Sequence, residues 1–313
     1  MPYDVVIIGG GPAGLSAALA LGRACKRVLL CDSGPRRNAA AVHMHNFVTR
    51  DGTKPSEFRR IAREQLADYP NVIAEDVRVG SITGVKGAFQ VVTETGAVEA
   101  RRILLCTGMI DELPPLEGLR ALWGSDVVQC PYCHGWEAKG RPWGYLVRKE
   151  HASQLQLFAL QLRGWTEDVC VFTNGEFEVP EATRDLLVSG GVRIETRGVV
   201  RLVAGTGGAE AQRLEAVELE DGTRLPCALL FAHPPQHQVD LVRALDLTLD
   251  GDGFVQVDPM RRETSTPGIF AAGDLTTRMQ AAIAAAASGM QAAAMLNLEL
   301  TSELAPRATQ RDA

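Results

Sequence analysis

The chain has 313 residues, 46% of them hydrophobic, which is enough length and apolar material for two domains and excludes the disordered class. A formal net charge of −6 speaks against nucleic acid as a partner, because phosphate binding draws on clustered Lys and Arg. The most apolar stretches, 5–21 and 279–298, are broken by glycine and proline or dominated by alanine, so neither reads as a membrane span, and the first four residues lack the basic start of a secretory signal. No membrane association and a cytoplasmic location are therefore expected.

The opening YDVVIIGGGPAGLSAALALGRACKRVLLCDSG (3–34) predicts a strand, a glycine turn, a helix and a second strand ending in an acid. Gly9, Gly11 and Gly14 fall at G-x-G-x-x-G spacing: one for a tight turn, one for close approach of backbone to a pyrophosphate, one for close packing of helix on strand. Pro12 and Ala13 start the helix whose free N–H groups would face the phosphates. Asp32 stands where a carboxylate would accept a ribose hydroxyl. Dinucleotide binding is the reading on which strand, turn, helix and acid agree.

The loop that follows carries Arg37 and Asn38 and then His43 and His45 in AVHMHNF. A further strand, ILLCTG (103–108), ends in Thr107 and Gly108. QCPYCHGWE (129–137) then sets Cys130 and Cys133 three apart with His134 directly behind. Three readings open here: half of a zinc site, a c-type haem attachment point, or a redox disulfide. Zinc lacks nearby ligands, since His233 and His237 lie about a hundred residues on in a proline-containing linker. Haem attachment wants export, for which there is no signal. The other five cysteines (Cys25, Cys31, Cys106, Cys170 and Cys227) stand alone, mostly in apolar, strand-like runs where a thiol behaves as a small hydrophobe.

The middle of the chain repeats the βαβ pattern: a strand in PWGYLVR (142–148), a helix in ASQLQLFALQLRG (152–164) and a strand in DVCVFTNG (168–175), followed by short strands around an Asp221-Gly222 turn. Near the end, STPGIFAAGDL (265–275) predicts a short strand running into Gly273 and Asp274, then an alanine-rich helix.

Taken together, the N-terminal glycine motif, ILLCTG, the CxxC pair and GIFAAGD resemble the flavoprotein disulfide reductases of two dinucleotide-binding folds, in particular the low-molecular-weight thioredoxin reductases, over essentially the whole chain. The resemblance implies an α/β fold of two Rossmann-like three-layer domains: a discontinuous FAD domain (1–113 and 237–313) and an inserted central NADPH-type domain (114–236) carrying the redox pair. It implies FAD as cofactor, Asp274 on the ribityl chain, Gln280, Ala281 and Ala282 at the flavin pyrimidine edge, the Arg37–Asn38 loop nearby, and a homodimer. No metal is implied.

Two departures shape the expected function. Where NADPH-dependent members place a second glycine motif, this chain has Arg148, Lys149, Glu150 and His151. Glu176 and Glu178 stand where arginines would hold a 2'-phosphate. The nicotinamide site reads as lost. His134 replaces an aspartate usual after the second cysteine, and CPYCHG resembles the dithiol oxidases that close disulfides in natural products of the gliotoxin and holomycin type. The resemblance then implies Cys130, Cys133 and His134 as catalytic residues, with a small dithiol as substrate and O2 as acceptor. The alternatives are a thioredoxin-like protein as partner with a donor such as ferredoxin, a divergent NADPH-dependent thioredoxin reductase, and a non-catalytic FAD-binding redox sensor. Tyr132 and Trp136 are candidates for lining the pocket, and His233 or His237 for a second base.

Overall fold

A computed structural model describes residues 1–34, 37–205 and 213–304, and these fall into two compact α/β units. The first comprises residues 1–37, 53–110 and 236 onward; the second comprises 38–52 and 111–235.

In the first unit, strand β1 (Tyr3–Ile8) leads into helix α1 (Pro12–Arg23) and strand β2 (Val28–Cys31). Helix α2 (Pro55–Leu66) and strands β3 (Val72–Glu75), β4 (Val79–Val85), β5 (Ala88–Thr93) and β6 (Gly96–Leu105) follow. The sheet order is β3-β2-β1-β6-β5-β4, with strand Ile269–Ala271 pairing parallel to β6. Sequence pattern explains the mixture of pairings. Val5–Ile8 of β1 and all of β2 are continuous apolar runs buried on both faces, as parallel strands covered by helices must be. β5 alternates exposed and buried residues and pairs antiparallel with β6. β6 serves both halves: Ala97–Ala100 face β5, and Arg102–Leu105 run parallel to β1. The long final helix Ala282–Ser302 packs its alanines (Ala285, Ala292, Ala293) into the same apolar cluster as Ala13 and Ala17 of α1, so small side chains bring the two helices close.

The second unit is built on strands β7 (Val127–Val128), β8 (Trp143–Leu146), β9 (Val169–Phe172) and β10 (Val192–Glu195). The antiparallel strands β11 (Val199–Gly205), β12 (Arg213–Leu219) and β13 (Arg224–Pro226) form a separate three-stranded sheet, and strand β14 (Leu229–Ala232) returns to the main one. The main sheet runs β10-β9-β8-β14-β7, every pairing parallel. Strand order reverses between β8 and β14, whose carboxyl ends, Leu146 and Ala232, lie in register. Trp143, Tyr145, Leu155, Ala159, Val171, Leu187 and Phe231 fill the core. The helix expected over 152–164 begins as a tighter 3-10 turn (Lys149–Gln154) and is α-helical over Leu155–Leu162. The loop 38–52, read from sequence as part of the FAD domain, groups with this second unit, and Asn38 with it.

Candidate functional site

The first unit holds a cradle for a dinucleotide. Gly9 adopts a φ of +113°, and a Cβ there would stand 2.2 Å from the Cys106 carbonyl oxygen, while a Cβ on Gly14 would stand 1.9 Å from the Gly9 carbonyl oxygen. Both positions therefore demand glycine. Gly11 is different: its backbone is extended and a Cβ would meet nothing within 4 Å. The protein leaves this side of the turn open, at the head of α1, whose N-terminus has no side-chain cap and starts with Pro12 and Ala13. Thr107, just past β6, has a buried hydroxyl with no hydrogen-bond partner among the described residues, and Gly108 beside it has open space at its Cβ position. An extended phosphate-bearing molecule fits both features, since buried hydroxyls are ordinarily satisfied.

Asp32, at the end of β2, is buried, accepts the Gly34 N–H at 3.0 Å and forms an ion pair with Arg59 of α2. Arg59 also reaches Asp76 at 3.1 Å, a residue that no motif in the chain singles out. Gly273 has a φ of +90° and turns the chain so that Asp274 meets Arg37 at 3.3 Å. Gln280 donates to the Gln236 side chain at 2.8 Å, Ala281 caps the final helix and Ala282 is its first residue. Fourteen of the fifteen expected cofactor residues thus lie in the first unit; Asn38 lies in the second. Arg36, part of the same basic loop, lies outside the described residues.

The second unit holds the sulfur chemistry. Cys130 and Cys133 form a disulfide, their Cα atoms 5.3 Å apart. Cys130 precedes a single helical turn, Pro131–His134, that follows β7. Pro131 suits the first helical position, where its missing N–H costs nothing, and the Gly135 N–H closes the turn on the Pro131 carbonyl at 2.8 Å. Gly135 is packed too tightly for any side chain, with Trp143 and Trp165 against it. The Trp143 indole N–H donates to the Ala138 carbonyl at 2.9 Å and anchors the turn to β8. Tyr132 crosses Trp165 edge to face at 5.4 Å and accepts a hydrogen bond from Gln161 at 2.9 Å, so packing accounts for its ring although it is 61% exposed. Trp136 is exposed, under the Lys139 ammonium at 3.7 Å.

His134 ends the redox turn. Both ring nitrogens are shielded from solvent and neither has a well-formed hydrogen bond among the described residues. Burial lowers its pKa below the ordinary 6.5, and a charge on His45 lowers it further; Glu137, the Cys130 backbone and Asp126 act in the opposite direction. The imidazole is accordingly neutral at pH 7 and able to accept a proton. Four of the lone thiols are buried and inert by comparison: burial raises Cys31 and Cys227 to about 12, and Cys106 and Cys170 upward as well; Cys25 is exposed.

Where the strand order of the second sheet reverses, a dinucleotide would enter a fold of this kind. Here the residues that follow β8 and β14 pack their rings together. His233 stacks edge-on against Phe158 (4.9 Å), Tyr145 (5.7 Å) and His151 (5.9 Å), and its Nε2 lies 3.1 Å from the Gln129 carbonyl oxygen. The Lys149 N–H, which would face a phosphate in the turn after β8, donates instead to the Glu176 carboxylate at 3.2 Å, and Arg148 pairs with Glu150 at 3.2 Å. Glu178 is exposed beyond β9. His237, in the first unit, approaches the Gln238 carbonyl at 3.2 Å. Among the described residues no helix is long and apolar enough to cross a membrane.

Comparison with known proteins agrees with this architecture. The family described as pyridine nucleotide-disulphide oxidoreductase matches residues 3–153 and 167–289. Thioredoxin reductase aclD of Aspergillus oryzae is 33% identical over 93% of this chain and 94% of its own, and thioredoxin reductase sirT of Leptosphaeria maculans is 31% identical over 97% of each. The crystal structure of an oxidoreductase from Agrobacterium tumefaciens superposes with a TM-score of 0.86 at 36% identity, covering 96% of this chain and 99% of that one. The chain belongs to the pyridine nucleotide-disulphide oxidoreductase family and is a thioredoxin reductase-like disulfide oxidoreductase whose cofactor is FAD.

Proposed function

We propose that this enzyme is a dithiol oxidase: it closes a disulfide in a small dithiol substrate through Cys130–Cys133, with O2 as final electron acceptor and no pyridine nucleotide in the circuit. The observation that carries this reading is the turn after β8, where the Lys149 N–H already donates to the Glu176 carboxylate. His151 and Phe158 pack against His233, which follows β14, and Glu176 takes the N–H that a pyrophosphate would use. A negative phosphate would have to displace a carboxylate already bonded there and approach a second, Glu178, which opposes binding.

The residues of the redox turn divide the work. His134, neutral at pH 7, takes the proton of one substrate thiol, because the thiolate is the attacking species. That thiolate forms a bond to Cys130 Sγ as the Cys130–Cys133 bond breaks, and Cys133 leaves as a thiolate. The substrate's second sulfur, deprotonated in turn, attacks the substrate sulfur of the mixed disulfide and releases Cys130 as a thiolate. Two electrons and two protons have then left the substrate, the electrons residing on the cysteine pair. FAD supplies the two-electron reoxidation of that pair and the transfer to O2, which yields hydrogen peroxide.

The test is a steady-state assay of the purified holoenzyme with dithiothreitol in an oxygen electrode. One peroxide should appear per disulfide formed, with no stimulation by NADPH. Turnover that requires NADPH and thioredoxin, with negligible oxygen uptake, would replace this reading with an ordinary thioredoxin reductase.

A further inference from the structure

We propose that Asn46 is a positioning residue for the redox pair: its side-chain amide pins the peptide that joins Tyr132 to Cys133, and so favours the closed Cys130–Cys133 disulfide over the open dithiol. The role rests on reading Cys130–Cys133 as the pair that cycles, and it belongs to a loop that lies far from the CxxC motif in sequence.

Contacts within the second unit place the loop there. The Asn46 side chain donates to the Tyr132 carbonyl at 2.5 Å, between residues 86 apart. The neighbouring His45 ring lies 3.5 Å from the Glu137 carboxylate, just beyond the turn. Nearer the start of the loop, a Cβ on Gly124 would stand 2.8 Å from the Ala40 Cβ, so the loop also packs against the segment before β7. Asn46 is itself held from behind. Its N–H donates to the Asp51 carboxylate at 2.8 Å, and the Gly52 N–H closes on the carbonyl of buried Met44 at 3.0 Å. Its φ of +61° is a left-handed conformation that asparagine adopts more readily than most residues. The donor is thus presented by a loop fixed through its own bonds.

The bonded peptide is the one that sets the spacing of the sulfurs. Its N–H, that of Cys133, donates to the Cys130 carbonyl at 3.2 Å, and its C=O takes the Asn46 amide. With both ends of the peptide engaged, the Cys133 Cα has little freedom relative to Cys130. In the oxidised enzyme the S–S bond already imposes that restriction. In the dithiol nothing covalent does, so the Asn46 bond removes freedom mainly from the open form and raises the effective concentration of one thiol at the other. Loss of the bond should therefore make the disulfide easier to reduce.

The test equilibrates the FAD-loaded enzyme anaerobically in glutathione buffers of graded thiol-to-disulfide ratio, quenches with acid, and counts the state of Cys130 and Cys133 by alkylation and mass spectrometry. Asn46→Asp and Asn46→Gly both tolerate the left-handed backbone and both lack the donor. Each should shift the equilibrium toward the dithiol by about two- to tenfold, the range that one net hydrogen bond spans, with FAD content unchanged. Val48→Ala, at an exposed position on the same loop, should leave the equilibrium at the wild-type value. If one Asn46 variant misfolds, the other decides the matter. An equilibrium unmoved, or moved toward the disulfide, overturns the proposal even where the melting temperature falls, since a merely structural bond lowers stability alone. Glutathione equilibration needs neither a substrate dithiol nor O2, so its outcome stands apart from the oxidase reading, which peroxide formation decides.

Discussion

His134 and the two cysteines make distinct predictions at the scale of single residues. Cys130→Ser should abolish dithiol oxidation while leaving the protein yellow, because the attacked sulfur is gone and the cradle for FAD lies in the other unit. Dithiol turnover that survives this substitution would end the disulfide mechanism. His134→Ala should retain FAD and slow substrate oxidation by about 10²- to 10⁴-fold, the usual worth of a positioned base. The pH dependence follows from the sign of its shift. A base acts when unprotonated, and the folded enzyme lowers the His134 pKa, so activity should persist below pH 6.5 and fall only as pH drops through that lowered value. An acid limb above 6.5 would contradict the assignment. The cysteine pair was legible in the letters, since CPYCHG sets Cys130 and Cys133 three apart, and the structure joins them as a disulfide. The tie between the 38–52 loop and this turn was not legible, because nothing in AVHMHNF marks Asn46 as donor to the Tyr132 carbonyl 86 residues away. Sequence spacing encodes local geometry, and this contact is a property of tertiary structure alone.

The helix head at Gly11 and Gly14 allows a sharper test at the scale of elements. A Cβ on Gly14 meets the Gly9 carbonyl oxygen, whereas a Cβ on Gly11 meets no protein atom. Gly14→Ala should therefore destabilise the FAD-free protein itself, by about 1–3 kcal/mol if the strain resembles ordinary overpacking. Gly11→Ala should leave FAD-free stability nearly unchanged and weaken FAD binding about tenfold or more, equivalent to about 1.4 kcal/mol. Thermal melts of the stripped proteins and flavin titrations of each separate the two. Equal melting losses in both variants would mean that the open side of Gly11 is not where the cofactor lies. The βαβ pattern, the glycine spacing and Asp32 were readable because period and turn chemistry are local signals. The pairing of Asp32 with Arg59 was not, since α2 offers several arginines at helical spacing and only packing selects one.

The family places a pyridine nucleotide in the circuit, and at the scale of the whole molecule the proposed function removes it. The reason is distributed: His151 and Phe158 pack against His233, Glu176 is bonded to the turn after β8, and Glu178 follows. Glu176→Ala alone should accordingly fail to give NADPH-dependent reduction, since the ring cluster stays in place. The loss of the second glycine motif was legible in sequence as an absence. That His233, read from the letters as a linker residue, packs against Tyr145, His151 and Phe158 was not, because it follows β14, whose neighbour β8 is more than 80 residues earlier. The most direct measurement is an anaerobic titration of the purified yellow enzyme, followed by flavin absorbance. Stoichiometric dithiothreitol should bleach it, and readmitted air should restore the colour with release of peroxide, while NADPH leaves the spectrum unchanged over minutes. Rapid bleaching by NADPH, or a flavin that dithiol cannot reduce, would contradict the account.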